Sequence, residues 1–418
     1  MRRLTLIPNL APMLAPVAAL ALLPVAVAGS SLTLSLGLSD GTITVLHVGK
    51  ILTMNDADEV ISPGMIVIED GDIRYAGPIV ERTDLPEPEL RLDTWASPGL
   101  VDLHTHIHSG GFGDVNDMVH AVNPELRASS AFKPENPLIR VGRAGGVTTL
   151  FGIPGSGTNM GGVGFVYKPA STYDESVVRN PGGIKVAQDS NPQNRNAIDF
   201  GVTRAGMEWN LSDVSDRALA SRRQGRFDPA LRDLEKVLHG EIPVLIHTAG
   251  SEGVLNAARM WKVKYGANAI VSHGSFDGWK SAKALAEIGI PVNHGPRTID
   301  FFSSREGRVI GSSSEFVNAG VPLFSLNTDS SIIPEELFFL QGSMSARYGA
   351  DPYQMLRALT IHPAMAFDLS ERVGSLEVGK DADVVLWDGD PLDPRSSVQS
   401  VFLDGRLEYD QDRDGQLF

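Results

Sequence analysis

Short apolar runs that end in polar or glycine-rich residues recur through the middle of the chain, and this repeat restricts the possible folds more than any other feature. Two examples are "IPVLIHTAG" (242–250) and "ANAIVSHGS" (267–275). The stretches that follow them, "SEGVLNAARMWKVKYG" (251–266) and "DGWKSAKALAEIG" (277–289), have a helical pattern and end at glycine. Alternation of strands and helices predicts an α/β protein with a parallel sheet. The length of the repeat region, residues 98–368, suits a closed (β/α)8 TIM-like barrel.

The two ends of the chain have a different pattern, in which apolar and polar residues alternate with period two. "TITVLHVGKILTM" (42–54) and "GMIVIEDGDIRYAG" (64–77) are rich in β-branched residues, and Asp–Gly pairs mark turns. The same pattern returns in "GSLEVGKDADVVLWDGD" (374–390). We therefore predict a small composite β-sandwich domain, built from residues 41–97 and 369–418, beside the barrel.

Residues 169–240 interrupt the strand–helix repeat. They are rich in Asn, Arg and Asp and include one amphipathic helical pattern, "PALRDLEKVLHG" (229–240). We predict a lid or loop over the functional site, with packing against the barrel as the alternative.

The first residues of the chain have the layout of an export signal. Arg2 and Arg3 supply positive charge, "VAALALL" (17–23) is apolar, and small residues surround a cleavage position after Ala28. The alternative is a membrane anchor, but the run is shorter than the roughly 20 apolar residues that a spanning helix needs. We predict that residues 1–28 are a signal peptide, that the chain has no stable membrane span, and that it is exported to the periplasm or the cell exterior.

The composition excludes several classes of function. The formal net charge is −15, which argues against nucleic-acid binding, because a phosphate backbone requires a basic surface. The chain has no cysteine, which excludes disulfides, thiolate metal ligands and a cysteine nucleophile. We therefore expect a small-molecule partner, and the sequence leaves a homo-oligomer open.

Three of the ten histidines stand at alternate positions in "PGLVDLHTHIH" (98–108). Residues two apart on a strand face the same way, so His104 and His106 can bind one ion. In a barrel the ends of the strands meet at one face, and other polar residues end later runs, namely Lys168, His247, His273 and Asp329. A single histidine at a strand end is more often a hydrogen-bonded core residue, so this prediction depends on the coincidence of positions. Imidazole and carboxylate ligands without thiolate favour zinc and tolerate manganese, iron or cobalt.

These motifs resemble the metal-dependent amidohydrolase superfamily, a distorted (β/α)8 barrel with a composite β-sandwich domain. The likeness rests on "PGLVDLHTH" (98–106), on His247 and His273, and on "LNTDSS" (326–331). "GGVTTLFGIPGSGTNMGGVGFVYK" (145–168) resembles the imidazolonepropionase-like branch. The resemblance implies hydrolysis of a carbon–nitrogen bond by metal-activated water, with one or two divalent ions per chain.

Lys168, at the end of "GFVYK", is where the resemblance implies a carboxylated lysine. Superfamily members with two metals often bridge them with such a lysine on the fourth strand. A carbamate turns a cation into an anionic ligand and requires a neutral amine first. The alternatives are a surface lysine or one paired with the substrate. The predicted ligands are therefore His104, His106, Lys168, His247, His273 and Asp329.

The resemblance also implies roles in catalysis. Asp329 would hold the attacking water, take its proton and deliver it to the leaving nitrogen. His273 would bind the second metal or, with one metal, help to polarise the carbonyl. His294, Arg297 and Asn159 are candidate substrate contacts, with Arg297 suited to a carboxylate. We expect a small amide, peptide or cyclic amide as the substrate.

Three alternatives remain open from the sequence. The chain could be a one-metal amidohydrolase, a deaminase, or a non-catalytic binding protein on the same fold. Deaminases of the superfamily tend to have a glutamate three residues after the histidine of the fifth strand, and Gly250 occupies that position here.

Overall fold

The computed structural model describes residues 43–81, 83–193, 200–300 and 309–418. The predicted signal peptide, residues 1–28, lies outside these ranges. Within the described residues, the strands form two eight-stranded sheets and one two-stranded sheet.

The strands and helices of the described part of the chain are numbered here in sequence order. The strands are β1 (Ile43–Leu52), β2 (Val60–Ile61), β3 (Gly64–Glu69), β4 (Asp72–Pro78), β5 (Glu89–Pro98), β6 (Leu100–Thr105), β7 (Val147–Gly152), β8 (Met160–Tyr167), β9 (Val177–Ala187), β10 (Val244–Ala249), β11 (Ala269–Ser275), β12 (Val292–His294), β13 (Ile299–Asp300), β14 (Ile310–Gly311), β15 (Ser325–Leu326), β16 (Val384–Trp387), β17 (Val398–Leu403) and β18 (Arg406–Asp410). The α-helices are α1 (Pro137–Ala144), α2 (Tyr173–Ser176), α3 (Ser190–Gln193), α4 (Arg204–Arg223), α5 (Arg232–Leu238), α6 (Ser251–Ala258), α7 (Ala282–Ile288), α8 (Ser312–Asn318), α9 (Phe338–Arg347), α10 (Pro352–Leu359), α11 (Ile361–Ala366) and α12 (Gln411–Asp414). Short 3-10 helices occupy Phe112–Asp114, Ala128–Ala131, Phe276–Ser281 and Glu335–Leu337, and a π-helical segment, Arg259–Lys264, continues α6. Within the described ranges, the helices are all too short or too polar to cross a membrane.

One eight-stranded sheet combines strands from both ends of the chain. Its main path is β18-β17-β16-β5-β1-β3-β4, and β2 pairs with β1. The pairs are antiparallel except for β1 with β5. The period-two pattern places apolar residues on both faces: Leu46 and Val48 pack in one cluster with Ile66, whereas Val45 and Val67 belong to another.

The other eight-stranded sheet is the barrel, with the strand order β6-β7-β8-β9-β10-β11-β12-β15. Its two ends approach each other where the backbone N–H of His106 donates to the carbonyl of Ser330 at 2.9 Å. β8 runs antiparallel to both β7 and β9, whereas the other neighbouring pairs are parallel. The predicted TIM-like barrel with a second sheet domain is confirmed, with one reversed strand.

The reversed strand follows from the lengths of its connections. Only residues 153–159 separate β7 from β8, and only residues 168–176 separate β8 from β9. A parallel crossover needs a dozen or more residues, so both connections are too short for one. The chain therefore turns back on itself twice before it resumes the parallel order.

Most of the predicted lid at 169–240 is part of the barrel and its outer layer. β9 is a barrel strand with Ile184 and Val186 fully buried, and α4 buries Met207, Leu211 and Val214 against the core. The prediction of a lid or loop is wrong for these segments, because their apolar residues are needed to close the sheet and cover it.

Candidate metal centre

Five side chains with metal-binding atoms meet at the carboxyl end of the parallel barrel strands. His104 lies in β6 with His106 just after it, His247 and His273 lie in β10 and β11, and Asp329 follows β15. Their ligand atoms form two groups, each within 4.8 Å: His104 with His247 and His273, and His104 with His106 and Asp329. Because His104 belongs to both groups, the two sets are adjacent.

Hydrogen bonds to backbone carbonyls orient two of the imidazole rings. Nδ1 of His106 donates to the carbonyl of Ile153 at 2.9 Å, and Nδ1 of His273 donates to that of Gly295 at 2.8 Å. A carbonyl only accepts, so Nδ1 carries the proton and Nε2 keeps its lone pair. Nε2 of His273 is buried and has no hydrogen-bond partner in the described part of the chain. A buried unpaired nitrogen that faces other histidines fits a metal ligand.

Burial keeps His104, His247 and His273 neutral. It lowers the pKa of His104 and His247 well below the ordinary value and lowers the pKa of His273 to about 4. Lys185 and the other three imidazoles lower the pKa of His104 further, because any proton on them would repel a proton on His104. A neutral imidazole offers the lone pair that a divalent ion requires.

Asp329 supplies the negative charge of the centre. Its Oδ1 lies 3.3 Å from Nε2 of His106 and 3.4 Å from Nε2 of His104. Burial alone would raise the pKa of Asp329, but the neighbouring His106, His273 and Lys185 favour the ionised carboxylate and hold its pKa below the ordinary range. The carboxylate is therefore ionised and can bind a cation or accept a proton.

A lysine in β9 completes the cluster. Nζ of Lys185 lies 2.9 Å from Nε2 of His104, and the Lys185 side chain is fully buried. Burial lowers the pKa of Lys185 to about 7, since few carboxylates are close enough to stabilise the charged form. A substantial fraction of this amine is neutral near pH 7.

Several residues of this centre lie in a region that is similar to known proteins. A sequence model of the amidohydrolase family matches residues 240–408, which include His247, His273 and Asp329. The solved structure of an amidohydrolase from Thermotoga maritima MSB8 is 29% identical and has a TM-score of 0.79, covering 88% of this chain and 100% of that one. The predicted similarity to the amidohydrolase superfamily is therefore confirmed.

Two curated proteins add to the superfamily assignment. Amidohydrolase tasK of Hapsidospora irregularis is 23% identical over 395 residues, or 83% of this chain, and the alignment spans only 40% of that protein. An imidazolonepropionase of Stenotrophomonas maltophilia is 24% identical over 379 residues, which is 79% of this chain and 87% of that one. These similarities confirm the predicted likeness to the imidazolonepropionase-like branch. Together with the family match, they indicate metal-dependent hydrolysis of carbon–nitrogen bonds, the class of reaction predicted from the sequence.

The prediction that Lys168 belongs to the metal centre is wrong. Nζ of Lys168 contacts Asp381 at 2.8 Å, Asp383 at 3.0 Å and Asp404 at 2.5 Å. Because β8 is reversed, its end lies at the opposite end of the barrel, against the second sheet domain. Burial alone would lower the pKa of Lys168, but these three carboxylates raise it above the ordinary value, so the amine stays charged.

Lys185 occupies the place that the sequence analysis assigned to Lys168. It was missed because residues 169–240 were interpreted as a lid. A usable signal was present in "GGIKVA" (182–187), where a single lysine stands inside an apolar run. The short connections on both sides of β8 would have directed attention to the next strand.

Two of the predicted substrate contacts are engaged within the protein. Both ring nitrogens of the fully buried His294 have partners, the carbonyl of His273 at 2.6 Å and the hydroxyl of Ser312 at 2.8 Å. The amide of Asn159 bonds to the carbonyl of Gly201 at 2.9 Å and accepts from Asn210 at 2.8 Å. These contacts leave His294 and Asn159 with packing roles, so the structure contradicts their assignment to the substrate.

Arg297 remains available to a ligand. It is exposed on the loop after β12, and its guanidinium lies 5.1 Å from the ring centroid of Phe276. A cavity of about 160 Å³ opens beside His106 and Ser330. A neighbouring cavity of about 780 Å³ shares Val115 in its lining and is large enough for a small molecule.

Two buried carboxyl groups near the centre were not predicted. Asp102 is fully buried, and burial raises its pKa to about 6. Glu335 is 1% exposed, and burial together with the charge of Asp102 raises its pKa well above the ordinary value. The sequence signal for Asp102 was its position two residues before His104, which places both on one face of β6.

Proposed function

We propose that this chain hydrolyses the carbon–nitrogen bond of a small amide, peptide or cyclic amide with one or two divalent ions, of which zinc best suits the ligands. The main support for the proposal is that His104 belongs to both potential ligand groups. The amine of Lys185 lies 2.9 Å from Nε2 of the same histidine. The proposed ligands are His104, His106, Lys185, His247, His273 and Asp329.

The protein's own groups would handle the proton. A bound divalent ion would lower the pKa of a water molecule toward about 7 and polarise the substrate carbonyl. Asp329 would accept the proton of that water and pass it to the leaving nitrogen. His106, whose Nε2 lies 3.3 Å from the carboxylate, would hold an ion together with Asp329. His273 is better suited to hold an ion than to polarise the carbonyl, because its proton is on Nδ1 and engaged by Gly295.

We assign the carboxylated lysine of this proposal to Lys185. A neutral amine adds to carbon dioxide and loses a proton, which gives an anionic carbamate with two oxygen ligands. The burial that lowers the pKa of Lys185 to about 7 provides the neutral amine. Its position beside His104, which both ligand groups share, would allow the carbamate to bridge two ions.

The substrate would reach the centre through the cavity beside His106. The larger cavity that adjoins it would hold the part of the substrate that does not react. Arg297 is the proposed contact for a substrate carboxylate, because it is an exposed cation at the carboxyl face of the barrel. Gly250, in place of an acidic residue after His247, disfavours deamination as the alternative reaction.

A hydrolysis screen tests this function. Metal-loaded protein would be assayed against dipeptides, N-acyl amino acids and cyclic amides, with release of the amine as the readout. We expect turnover of at least one class, and we expect His104→Ala/His106→Ala to lose both metal and turnover. Absence of hydrolysis by fully metal-loaded protein would count against an enzyme, and unchanged metal content in the double variant would remove β6 from the site.

We also propose that the chain is exported after cleavage behind Ala28. The support is the charged start, the short apolar run and the small residues of the sequence. N-terminal sequencing of the mature protein should begin at Gly29. A soluble cytoplasmic protein that still begins at Met1 would contradict the proposal.

A further inference from the structure

Asp102 joins two of the segments that carry proposed metal ligands, β6 and the residues around Asp329, where the first and last strands of the barrel meet. Its Oδ1 accepts the backbone N–H of His104 at 2.8 Å. Its Oδ2 accepts both the hydroxyl of Thr328, at 2.6 Å, and the backbone N–H of Thr328, at 3.0 Å. Thr328 directly precedes Asp329. Asp102 therefore connects β6 to the loop that carries Asp329 (residues 327–331, the Asp329 loop) by hydrogen bonds.

Glu335 makes a second connection between the same segments. Its Oε2 accepts the hydroxyl of Thr105 at 2.6 Å and lies 3.5 Å from the hydroxyl of Thr328. Thr105 stands between His104 and His106. We call Asp102, Thr105, Thr328 and Glu335 the seam cluster.

Packing holds Glu335 in place. It begins the short helix Glu335–Leu337, which contacts α1. A β-carbon added to Gly142 of α1 would lie 2.7 Å from Cγ of Glu335, so the short helix has no room to shift toward α1. The carboxyl group is therefore set at a defined depth beneath Thr105.

The Asp329 loop needs such a restraint. Asp329 has φ = 49°, a left-handed backbone conformation that residues other than glycine adopt at an energetic cost. The backbone bond from His106 to Ser330 fixes the far side of the loop. Apart from Asp102 and Glu335, the hydroxyl of Thr328 has only a local contact, the hydrogen bond that it accepts from the backbone N–H of Ser330 at 3.0 Å in the described part of the chain.

We propose that Glu335 is a positioning residue, which acts through Thr105 and Thr328 to hold the carboxylate of Asp329 in the orientation needed for proton transfer. This inference rests on the proposed function. Glu335 would act on the same site without being a metal ligand and without touching the substrate.

The test compares three variants of neighbouring glutamates. Glu335→Leu removes the acceptor for Thr105, and Glu335→Gln retains an acceptor of the same shape. Glu336→Leu is the matched control, since Glu336 is only partly buried and has no side-chain hydrogen bond recorded in the described part of the chain. Each variant would be assayed for kcat, KM, metal content and thermal midpoint.

We expect Glu335→Leu to lower kcat by about 10–100-fold with little change in KM or metal content, the range typical of groups that orient metal ligands. Glu335→Gln should restore most of kcat, and Glu336→Leu should behave as the wild type. If Glu335→Leu does not fold, Thr105→Val removes the same hydrogen bond from the other partner and should lower kcat in the same way.

Cobalt substitution supplies a readout that does not depend on turnover. With Co²⁺ in place of the native ion, movement of the Asp329 carboxylate should change the visible absorption bands in Glu335→Leu but not in Glu335→Gln. If the wild type hydrolyses no amide, the proposed function fails, and this spectrum still decides the role of Glu335. An unchanged spectrum and kcat in a folded, metal-loaded Glu335→Leu protein would overturn the inference, as would loss of the metal itself.

Discussion

Replacement of Asp329 with asparagine is expected to lower kcat by about 10²–10⁴-fold, the scale for removal of a general base. Asparagine has the same shape, but its amide cannot accept a proton at neutral pH. Most of the bound metal should remain, because four histidines still surround the site. Kinetics and elemental analysis of the same preparation would measure both quantities.

Asp93→Asn is a suitable control for this variant. Asp93 is exposed on β5 of the second sheet domain, so its replacement should not change kcat or metal content. A metal-loaded Asp329→Asn protein with wild-type kcat would show that another group moves the proton. Loss of all metal would show that Asp329 serves chiefly as a ligand.

The second large effect is expected for Lys185, and it distinguishes this lysine from the other buried lysine, Lys168. Lys185→Ala should reduce metal content toward one ion per chain and abolish turnover, because the proposed bridging carbamate is gone. Small carboxylic acids added to this variant should restore part of the activity by supplying an anionic ligand in its place. Full metal content and activity in Lys185→Ala would contradict the bridging role.

Lys168→Met should have the opposite pattern. It leaves Asp383 buried and without its cation, so we expect the free energy of unfolding to fall by about 3–5 kcal/mol. Metal content and kcat at a temperature where the variant is folded should match the wild type. Denaturant unfolding with metal analysis measures both, and loss of metal from folded Lys168→Met would return this lysine to the site.

The sequence predicted which histidines would meet, because each ends an apolar run. His247 and His273 could be placed on neighbouring strands from the helix between them, and His104 and His106 from their spacing. Asp329 followed from the same rule at the last strand. In each case the sequence pattern lies within a short segment. A helical connection of ordinary length between two strands indicates that the strands are parallel.

The lysine could not be assigned by the same rule. Lys168 also ends an apolar run, but its strand is reversed, and the end of a reversed strand lies at the wrong face. His294 also ends a run, yet its ring is engaged by Ser312 and the backbone of His273. A position at the end of a run indicates where a side chain lies along the barrel, but it does not indicate which partners the side chain has.

The sequence by itself therefore determined the barrel class, the composite second sheet and the histidine and aspartate positions, because these depend on periodicity and spacing within short segments. The class of reaction followed from the family that its motifs resemble. Only the tertiary structure decided that Lys185 and not Lys168 accompanies the histidines, and that Asp102 and Glu335 support the Asp329 loop. Asp102 and Thr328 are 226 residues apart in sequence and 2.6 Å apart in the fold. Burial and hydrogen bonding of this kind are set by segments that meet only when the barrel closes, which a local pattern does not encode.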